Sequence, residues 1–368
     1  MREAEFGVVG GGLVGMAIAY GLVRKGRSVV VFDEHDQAFR ASRGNFGLIW
    51  VQGKGAAMPS YARWTRSSAQ LWPQLAAELL AKTKVDVEVH QPGGVDFALS
   101  EDEAAANVAR LESLKTALGG DYPYEYLDAK ALKAKIPEVG PSVVGATYFP
   151  EDGHANPLYL LRALHAGFAQ LGGQLVSGAR AERVEPDGGH FIVQGGEQVR
   201  VKNVVLCAGL GNAHLAPMVG LHAPVRPVRG QILVTERLKA QLSMPSVQIR
   251  QVGEGAIQIG DSAEDVGFDD ATDARVIAGI AKRAVAIYPF LRDVRMMRAW
   301  SALRVMSPDG LPIYQCSTVY PGASVVTCHS GVTLAAAHAL KLAPALAEGA
   351  TPDECGDFYG SRFTDEAA

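Results

Sequence analysis

A glycine-rich turn near the start of the chain limits the possible folds more than any other feature. Gly10, Gly12 and Gly15 form a GxGxxG pattern that joins an apolar run at residues 6–9 directly to a predicted helix. The apolar run predicts a buried strand, and a second apolar run at residues 28–32 predicts another. Strand, helix and strand form one βαβ unit with a right-handed crossover. This unit predicts an α/β chain with a doubly wound, Rossmann-like sheet.

The positions of these glycines suit a dinucleotide. Gly10 permits a tight turn, Gly12 lets backbone amides approach a pyrophosphate at the helix N-terminus, and Gly15 allows close packing of helix on strand. Asp33 ends the second strand, where its carboxylate can accept hydrogen bonds from a ribose 2′-hydroxyl and disfavours the 2′-phosphate of NADP. A glycine turn with a merely structural role is the alternative, and FAD and NAD are both open at this point. The predicted nucleotide site also includes Leu13, Val14 and Glu34.

The charge and cysteine content argue against several other classes of function. Lysine and arginine number 35 against 39 aspartate and glutamate, which leaves a net charge of −4 and no broad basic surface for nucleic acid or anionic lipid. The 4 cysteines are scattered, with no CxxC pair and no spacing with histidine that suits zinc or an iron–sulfur cluster. We therefore expect a small-molecule partner, no nucleic acid and no metal site.

The chain shows no sequence signal for export or membrane insertion. It runs from Met1 into the first predicted strand without a basic segment, a long apolar segment or a cleavage site, which predicts a cytoplasmic protein. No apolar run approaches the roughly 20 residues needed to span a bilayer. The nearest candidate, residues 8–23, is broken by glycines. We expect no direct membrane span.

The length of 368 residues predicts two domains, and the lack of a long linker predicts that they are interleaved. Alternating strand segments near residues 184–205, separated by glycine turns, predict paired strands. Turn-linked strands around residues 231–259 predict a mixed or antiparallel sheet, which we assign to a smaller α+β domain. The nucleotide-binding domain is predicted from residues 1–84, 150–221 and 319–368, and the substrate domain from residues 85–149 and 222–318.

Some helix termini can be predicted from local patterns. Ser100 followed by Glu103 is typical of a capping box, and Asn156 before a proline is typical of an N-cap and first turn. Near the C-terminus, a predicted strand and a polar glycine turn precede a predicted helix over residues 332–348. This order of elements is typical of the dinucleotide-binding domain, so the C-terminal segment is assigned to that domain.

Six segments, taken together and in order, resemble a known family. They are residues 7–34 (GVVGGGLVGMAIAYGLVRKGRSVVVFDE), 41–49 (ASRGNFGLI), 207–211 (CAGLG), 227–231 (PVRGQ), 303–312 (LRVMSPDGLP) and 329–335 (HSGVTLA). The series resembles the D-amino-acid oxidase superfamily of FAD enzymes, which includes glycine oxidase, sarcosine oxidase and D-amino-acid dehydrogenases. The stretches RGNFGLIWVQGKG and CHSGVTLAAA are similar to the flavin subunits of bacterial D-hydroxyproline dehydrogenase, opine oxidase and hydrogen cyanide synthase.

The resemblance implies FAD as the cofactor and assigns residues to its site. A small, glycine-containing loop is expected along the pyrophosphate and the ring edge of the flavin, where it permits close approach of the backbone. The helix N-terminus at residues 330–333 is expected to stabilise negative charge on the flavin. The remaining residues are expected at the adenine and at a strand-to-loop junction, which could equally be structural. The residues so assigned are Ser42, Arg43, Asn45, Phe46, Gly47, Leu48, Val184, Cys207, Ala208, Gly209, Ser330, Gly331, Val332 and Thr333.

The same resemblance implies an α-amino-acid substrate, whose carboxylate requires a bidentate cation. Arg304 is the candidate, because it matches the family segment whose arginine binds the substrate carboxylate; the alternative is a surface arginine or one paired with Asp309. Arg250 is a second candidate near the active site, or a charge at a sheet edge. His154 and His329 lie in family segments near the flavin, or are structural histidines. Two aromatic residues could line the pocket or belong to the core: Trp50 and Tyr61.

One departure from the family pattern concerns the attachment of the cofactor. Sarcosine-type members bind flavin covalently through a cysteine at the position of Ala302, so the resemblance predicts noncovalent FAD here. Dehydrogenase and opine-type relatives pass electrons to partner subunits that carry iron–sulfur clusters or a second flavin, whereas oxidases use dioxygen. Any iron–sulfur relay would lie on a partner, because this chain lacks the cysteines to bind one.

These observations predict FAD-dependent oxidation of the C–N bond of a small amino acid, by hydride transfer to flavin N5 with an imine as product. Secondary amines such as D-hydroxyproline, proline or opines are favoured by the subfamily resemblance, and the chain would then be the flavin subunit of a dehydrogenase complex. Two alternatives stay open at this stage. One is a free-standing glycine, sarcosine or D-amino-acid oxidase that produces hydrogen peroxide, and the other is a non-catalytic flavin-bearing electron-transfer subunit.

Overall fold

The computed structural model describes residues 2–34, 41–260 and 262–363. The strands are β1 (Arg2–Val9), β2 (Val29–Asp33), β3 (Leu48–Ile49), β4 (Gly94–Ala98), β5 (Glu125–Asp128), β6 (Gly145–Phe149), β7 (Gly153–His154), β8 (Gln174–Ser177), β9 (Arg183–Asp187), β10 (His190–Gly195), β11 (Glu197–Leu206), β12 (Arg226–Arg237), β13 (Ile249–Gln251), β14 (Ala256–Ile259), β15 (Met296–Met306), β16 (Ile313–Cys316) and β17 (Ala323–Thr327). The helices are α1 (Leu13–Arg24), α2 (Pro59–Thr83), α3 (Glu101–Ala117), α4 (Ala129–Lys135), α5 (Pro157–Gln170), α6 (Asn212–Leu215), α7 (Ala274–Ile287), α8 (Ala335–Ala337), a π-helical segment (His338–Leu342) and α9 (Ala343–Ala347).

The larger sheet is built around β1, which lies between β11 and β2 with all three strands parallel. Val8 of β1 is in register with Val31 on one side and Val205 on the other, and all three are buried. A parallel sheet that is covered on both faces requires such continuous apolar runs. The strand order is β16-β17-β11-β1-β2-β8, with β10 pairing antiparallel to both β11 and β9. The predicted doubly wound α/β fold is confirmed.

Helix α1 packs very closely against the C-terminal helices. A Cβ atom placed on Gly21 would lie 2.4 Å from the carbonyl oxygen of Ala339 in the π-helical segment. Only glycine, which has no Cβ atom, fits at this position. The helical layer on this face of the sheet also encloses large buried aromatic side chains, among them Tyr20, Trp64 and Trp72. Within the part of the chain that the structure describes, no helix combines the length and the apolar character that crossing a membrane requires.

A second, antiparallel sheet has the order β13-β14-β12-β15. A three-stranded sheet, β4-β6-β5, shares a hydrophobic core with it, and an isolated bridge between Val95 and Ser246 links the two. Helix α7 and an edge-to-face contact between Phe97 and Tyr288, with ring centres 5.7 Å apart, fill this core. The predicted mixed or antiparallel second sheet is confirmed.

Strands of the two sheets alternate along the chain. Strands β4 to β6 lie within residues 85–149 and β12 to β15 within residues 222–318, the segments predicted for the substrate domain. Strand β16 also precedes residue 319, but it pairs with β17 in the larger sheet, with Ile313 opposite Thr327. A boundary drawn by sheet membership therefore falls before Ile313.

Two helix termini follow the local sequence pattern. The side chain of Ser100 accepts a hydrogen bond from the amide of Glu103 and caps α3. The side chain of Asn156 accepts from the first amides of α5, whose first residue is proline. Both caps satisfy amides that the helices themselves cannot pair. Both predictions are confirmed.

The predicted start of the C-terminal helix at Val332 is wrong. The carbonyl of Thr333 does not bond the amide of Ala337. It accepts instead from Ser68 Oγ at 2.7 Å and from Trp72 Nε1 at 3.1 Å, while the amide of Ala337 donates to Ser68 Oγ at 3.0 Å. The Ser68 hydroxyl thus takes the place of one intrahelical bond. Residues 331–334 form a turn, and the regular helix begins at Ala335.

Candidate functional site

The glycine turn between β1 and α1 leaves no room for side chains. Gly10 has φ +110°, and a Cβ atom on it would lie 2.4 Å from the carbonyl oxygen of Cys207. A Cβ atom on Gly15 would lie 1.8 Å from the carbonyl oxygen of Gly10. These distances are far below van der Waals contact, so the turn closes only with glycine at both positions. The unobstructed approach of the backbone is the property that a bound pyrophosphate needs.

The carboxylate of Asp33 and the hydroxyl of Ser42 fix this turn from the side. Asp33 Oδ2 accepts a hydrogen bond from the amide of Gly11 at 2.7 Å, and Ser42 Oγ accepts from the amide of Leu13 at 2.9 Å. Glu34 lies farther out, where it forms an ion pair of 3.6 Å with Arg180. The structure therefore places Asp33, rather than Glu34, at the edge of the glycine turn, and a hydrogen bond from Asp33 to the ribose stays a prediction.

We expect Asp33→Ala to weaken the retention of FAD. The variant removes a charged acceptor from Gly11 and from the ribose position, and hydrogen bonds to charged groups contribute about 1.5–3 kcal/mol, so the dissociation constant should rise about 10–100-fold. The measurement is the FAD-to-protein ratio during dialysis, with Glu34→Ala as the matched control that keeps Asp33. Equal loss of FAD from both variants would contradict the assignment to Asp33.

The segment after the first βαβ unit bends around glycine. Asn45 Oδ1 accepts from the amide of Gly47 at 2.7 Å, and Gly47 has φ +90°. A Cβ atom on Gly47 would lie 2.6 Å from the carbonyl oxygen of Ala155, whose amide donates to the carbonyl of Gly47. This bend directs Phe46 and Leu48 toward a cavity, while Arg43 is exposed.

The C-terminal turn is joined to this segment by side-chain hydrogen bonds. Thr333 Oγ1 accepts from the amide of Trp50 at 3.1 Å and donates to the carbonyl of Leu48 at 3.2 Å. Ser330 Oγ accepts from Lys54 Nζ at 2.6 Å and from Tyr61 Oη at 3.0 Å. These hydrogen bonds join two segments that are far apart in sequence into one continuous surface.

Gly331 brings the same turn to the nucleotide-binding unit. A Cβ atom on Gly331 would lie 3.5 Å from Cγ2 of Val14 and 3.8 Å from Cβ of Leu13, which are ordinary contact distances. Residues 330–333 therefore lie against the first turn of α1. The predicted helix N-terminus is a turn that leads into the helix, and its amides still lie beside the first unit of the nucleotide fold.

A cavity of about 240 Å³ lies between these segments and the second sheet. One side is formed by residues 44–54, another by strands β12 and β15, and the floor by Cys328 to Thr333. The structure brings together here these residues predicted from sequence: Asn45, Phe46, Leu48, Trp50, Ala302, Arg304, His329, Ser330, Val332 and Thr333.

Arg304 reaches the cavity from β15. Its strand neighbour on β12 is Val228, and the guanidinium extends over Gly230, where a Cβ atom would lie 2.8 Å from Cζ of Arg304. One guanidinium nitrogen donates to the carbonyl oxygen of Ser262. Gly230 therefore provides the space that the arginine side chain occupies at the cavity wall.

Burial sets the protonation of the groups at the floor. Desolvation, with the nearby charges of Lys54 and Arg304, holds the pKa of His329 well below its usual value, so the imidazole is neutral. Desolvation, and then the charge of Arg304, lowers the pKa of Lys54 to about 8, although Cys328 and Asp152 oppose this shift. Desolvation raises the pKa of the Cys328 thiol to about 12. The cavity thus combines two cations in its walls with a neutral imidazole and a neutral thiol at its floor at pH 7.

Arg250 and His154 lie behind the cavity wall rather than on it. Arg250 is 1% exposed; its Nη1 lies 3.1 Å from Nδ1 of His154 and donates to the carbonyl of Ala155 at 2.9 Å. Burial, followed by the charge of Arg250, lowers the pKa of His154 to about 3, so its ring is neutral and accepts the hydrogen bond. The pair supports Gly47 and Phe46 from behind, so we assign it a positioning role.

The other predicted residues occupy the large sheet and its loops. Val184 is buried in β9, opposite Val193 of β10. Cys207 is buried directly after β11, and the amide of Ala208 donates to Asn212 Oδ1 at 2.9 Å. Gly209, with φ +58°, follows. This junction packs under the glycine turn, because the amide of Cys207 donates to the carbonyl of Val9 at 2.8 Å.

Sequence reasoning missed Lys54. It is the one charged residue between Arg43 and Arg63, in a stretch of small and apolar residues that should be buried near the flavin. A single charged residue in such a stretch is a signal from which a role for Lys54 in the site could have been predicted. The backbone that leads to Lys54 is fixed by Asp152, whose carboxylate accepts from the amides of Val51 and Gln52 at 2.5 and 3.3 Å.

The residues present fit FAD. The glycine turn is a cradle that a single Cβ atom would fill, and Asp33 lies at its edge. The turn at residues 330–333, which contacts Leu13 and Val14 of α1 through Gly331, also lines the cavity that Arg304 lines. Ala302 lines the same cavity, so no cysteine is present at the position that the family resemblance gives for covalent attachment. A nucleotide turn in contact with the wall of a cavity that contains a cation suits a flavin dinucleotide.

Comparison with known proteins agrees with this geometry. The family model DAO, described as FAD dependent oxidoreductase, matches residues 5–345. An opine oxidase subunit from Rhizobium meliloti is 44% identical over 370 residues, covering 100% of both chains. Hydrogen cyanide synthase subunit HcnC from Pseudomonas aeruginosa is 26% identical over 415 residues, covering 100% of this chain and 98% of the relative. The crystal structure of glycine oxidase from Bacillus cereus superposes with a TM-score of 0.87 at 24% identity, covering 96% of this chain and 98% of that chain, and shows the shared fold. The chain therefore belongs to the DAO family of FAD-dependent oxidoreductases, as a flavoenzyme that acts on amino acids.

Proposed function

We propose that this protein oxidises the C–N bond of a small N-substituted amino acid, a secondary amine of the opine type, and is the flavin subunit of a dehydrogenase complex. The observation that carries the proposal is a guanidinium, Arg304, in the wall of a cavity whose floor includes the turn at residues 330–333, which contacts the start of α1. The full-length similarity to an opine oxidase subunit favours a secondary amine over glycine.

The chain supplies binding, orientation and charge. Arg304 presents a planar set of donors that suits a substrate carboxylate, which would fix the adjacent C–H bond relative to the flavin. The turn at residues 330–333 and the helix that follows it would hold the flavin and favour negative charge on it. Bound FAD would supply the hydride acceptor for oxidation of the C–N bond. The amine leaves as an imine after loss of its N–H proton to solvent, and water then hydrolyses the imine to an oxo acid and an amine.

The neutral His329 at the cavity floor suits this reaction. A secondary amine must lose its ammonium proton before the C–H bond can break, and a neutral amine is favoured in a buried site that already holds cations. The two cations beside His329 disfavour a third positive charge. Thus no dedicated base is required, in agreement with hydride transfer as the chemical step.

Electron transfer to a partner subunit is the second part of the proposal. The opine oxidase and hydrogen cyanide synthase relatives are named as subunits, and this chain would likewise pass electrons to a partner that carries an iron–sulfur cluster or a second flavin. A free-standing oxidase that uses dioxygen is the competing function. Glycine oxidase from Pseudomonas putida is 29% identical over 359 residues, so the experiment must also distinguish an oxidase from a dehydrogenase.

The test is anaerobic mixing of the FAD-loaded chain with N-(1-carboxyethyl) amino acids, D- and L-proline, hydroxyprolines, sarcosine and glycine. We expect the visible absorption band of oxidised FAD to bleach with a secondary amine and to bleach less, or more slowly, with glycine. Readmitted air should restore the band slowly in a dehydrogenase and rapidly in an oxidase. Bleaching by primary amines alone would refute the proposed substrate class.

A further inference from the structure

Lys54 is a cation in the cavity wall that the proposed reaction does not yet use. Its ammonium group donates to Ser330 Oγ at 2.6 Å, and Lys54 lines the same cavity as Arg304 and His329. The segment that delivers it is rigid. The carboxylate of Asp152 accepts from two backbone amides of this segment. In addition, Tyr122 Oη accepts from the amide of Gly53 and donates to the carbonyl of Val51. Lys54 is thus held at the cavity and does not swing freely in solvent.

No carboxylate of the described ranges 2–34, 41–260 and 262–363 forms an ion pair with Lys54. Lys54 is partly buried, and an ammonium group that is desolvated without an anion loses hydration energy, of which a hydroxyl partner returns only part. Most lysines in such positions are paired. The missing anion is therefore expected from a ligand in the cavity.

The shared cavity of Lys54 and Arg304 indicates the chemical class of this ligand. Lys54 lines the cavity from the segment of residues 44–54, Arg304 lines it from β15, and His329 lies at its floor. The charges of both cations lower the pKa of His329. Two cations in the wall of one cavity suit a ligand with two anionic groups.

We propose that Lys54 is a second carboxylate anchor and that the enzyme selects secondary amines with a carboxylate on each side of the nitrogen. Arg304 holds the carboxylate next to the carbon that is oxidised, and Lys54 holds the carboxylate of the other substituent. This inference rests on the proposed oxidation of a secondary amine and specifies its substrate class. It makes Lys54 a specificity-determining residue, because substrates with one carboxylate leave it without a partner.

A pair of unreactive ligands can test this without turnover. Thiodiacetate carries two carboxylates around a sulfur in place of the amine, and (methylthio)acetate carries one. Their dissociation constants for the FAD-loaded enzyme are measured by calorimetry and by perturbation of the flavin spectrum. We expect Lys54→Met to raise the dissociation constant of thiodiacetate about 10–100-fold, and to lower the preference for thiodiacetate over (methylthio)acetate by a similar factor. Lys54→Arg should keep most of the preference.

Matched variants distinguish the loss of a carboxylate anchor from a general loss of folding or stability. Methionine has nearly the length of lysine and removes a buried charge, so Lys54→Met should fold. Lys341→Met removes an ammonium group that pairs with Glu354 at 3.0 Å on another surface, and it should leave the preference as in the unmodified enzyme. FAD content and the thermal midpoint are recorded for each variant.

The pH dependence provides an independent readout. Thiodiacetate has no amine to titrate, so changes in its affinity above pH 6 report the protein. Loss of the Lys54 proton removes a positive charge, so affinity should fall as pH rises through about 8. The facing groups are Arg304, the Cys328 thiol, His329 and Asp152, and burial raises the pKa of Asp152 to about 7. A pH effect that persists in Lys54→Met belongs to Asp152.

Two results for Lys54→Met would contradict the inference. Equal weakening of both ligands in Lys54→Met would overturn the inference and would indicate that Lys54 acts on the flavin. An unchanged preference would overturn it as well. Failure of the proposed function appears in a different experiment, as an absence of bleaching by any secondary amine, while the thiodiacetate measurement stands without turnover.

Discussion

Arg304→Leu is expected to lower the apparent second-order rate of flavin reduction by amino acids about 10²–10³-fold while FAD stays bound. Removal of one partner of a desolvated charge pair costs about 2–5 kcal/mol, here between the guanidinium and the substrate carboxylate. The side chain lies over Gly230 in the cavity wall, and no residue of the glycine turn is among the described residues that line this cavity. The measurement is anaerobic stopped-flow reduction across a range of substrate concentrations.

Arg304→Lys is the matched control for this prediction. It keeps the charge but loses the planar, two-donor geometry, so the rate should fall between those of the unmodified enzyme and Arg304→Leu. The FAD-to-protein ratio of both variants should equal that of the unmodified enzyme. If Arg304→Leu were reduced by substrate at the normal rate, Arg304 would have no part in binding the carboxylate.

Gly15→Ala is expected to abolish FAD binding or the folded state itself. The added methyl group would lie 1.8 Å from the carbonyl oxygen of Gly10, so helix α1 cannot keep its distance from β1. Overpacking of a rigid contact costs about 1–3 kcal/mol or more, and here the obstacle is backbone rather than a movable side chain. The readouts are flavin content after purification and the midpoint of thermal unfolding.

Gly279→Ala provides the comparison for a glycine within a helix. Gly279 lies in α7, and a Cβ atom there would meet nothing within 4 Å. This substitution should stabilise the protein by about 0.5–1 kcal/mol, because alanine has the higher helix propensity. A normal flavin content in Gly15→Ala would show that the turn is less tightly packed than the structure indicates.

Features that depend on neighbouring residues could be predicted from the sequence. The glycine turn, the carboxylate that ends β2, and the caps at Ser100 and Asn156 each involve residues a few positions apart, or one short βαβ unit. The alternating runs likewise predicted the hairpins of β9 to β11. In each case the physical cause is local, namely a backbone conformation, an unpaired amide or a buried face.

Features that depend on distant contacts could not be predicted in this way. The helix begins at Ala335 because Ser68, on α2, interrupts its first bonds. Lys54 reaches Ser330 across a separation of 276 residues, so its position is visible only in the folded chain. Arg250 lies in a family segment near the active site, yet its guanidinium is directed at His154 and the backbone behind the wall.

The order of strands in the larger sheet also decides when this protein can take up its cofactor during biosynthesis. The glycine turn leaves the ribosome before β17 and residues 328–333, because β1 precedes them in the chain. Strand β17 pairs with β11, and the floor of the cavity follows it directly. A nascent chain that ends before β17 can display the nucleotide turn but lacks these residues of the cavity. We therefore expect FAD to be retained only after β17 and residues 328–333 have been synthesised, and chains truncated before β17 to be purified without flavin.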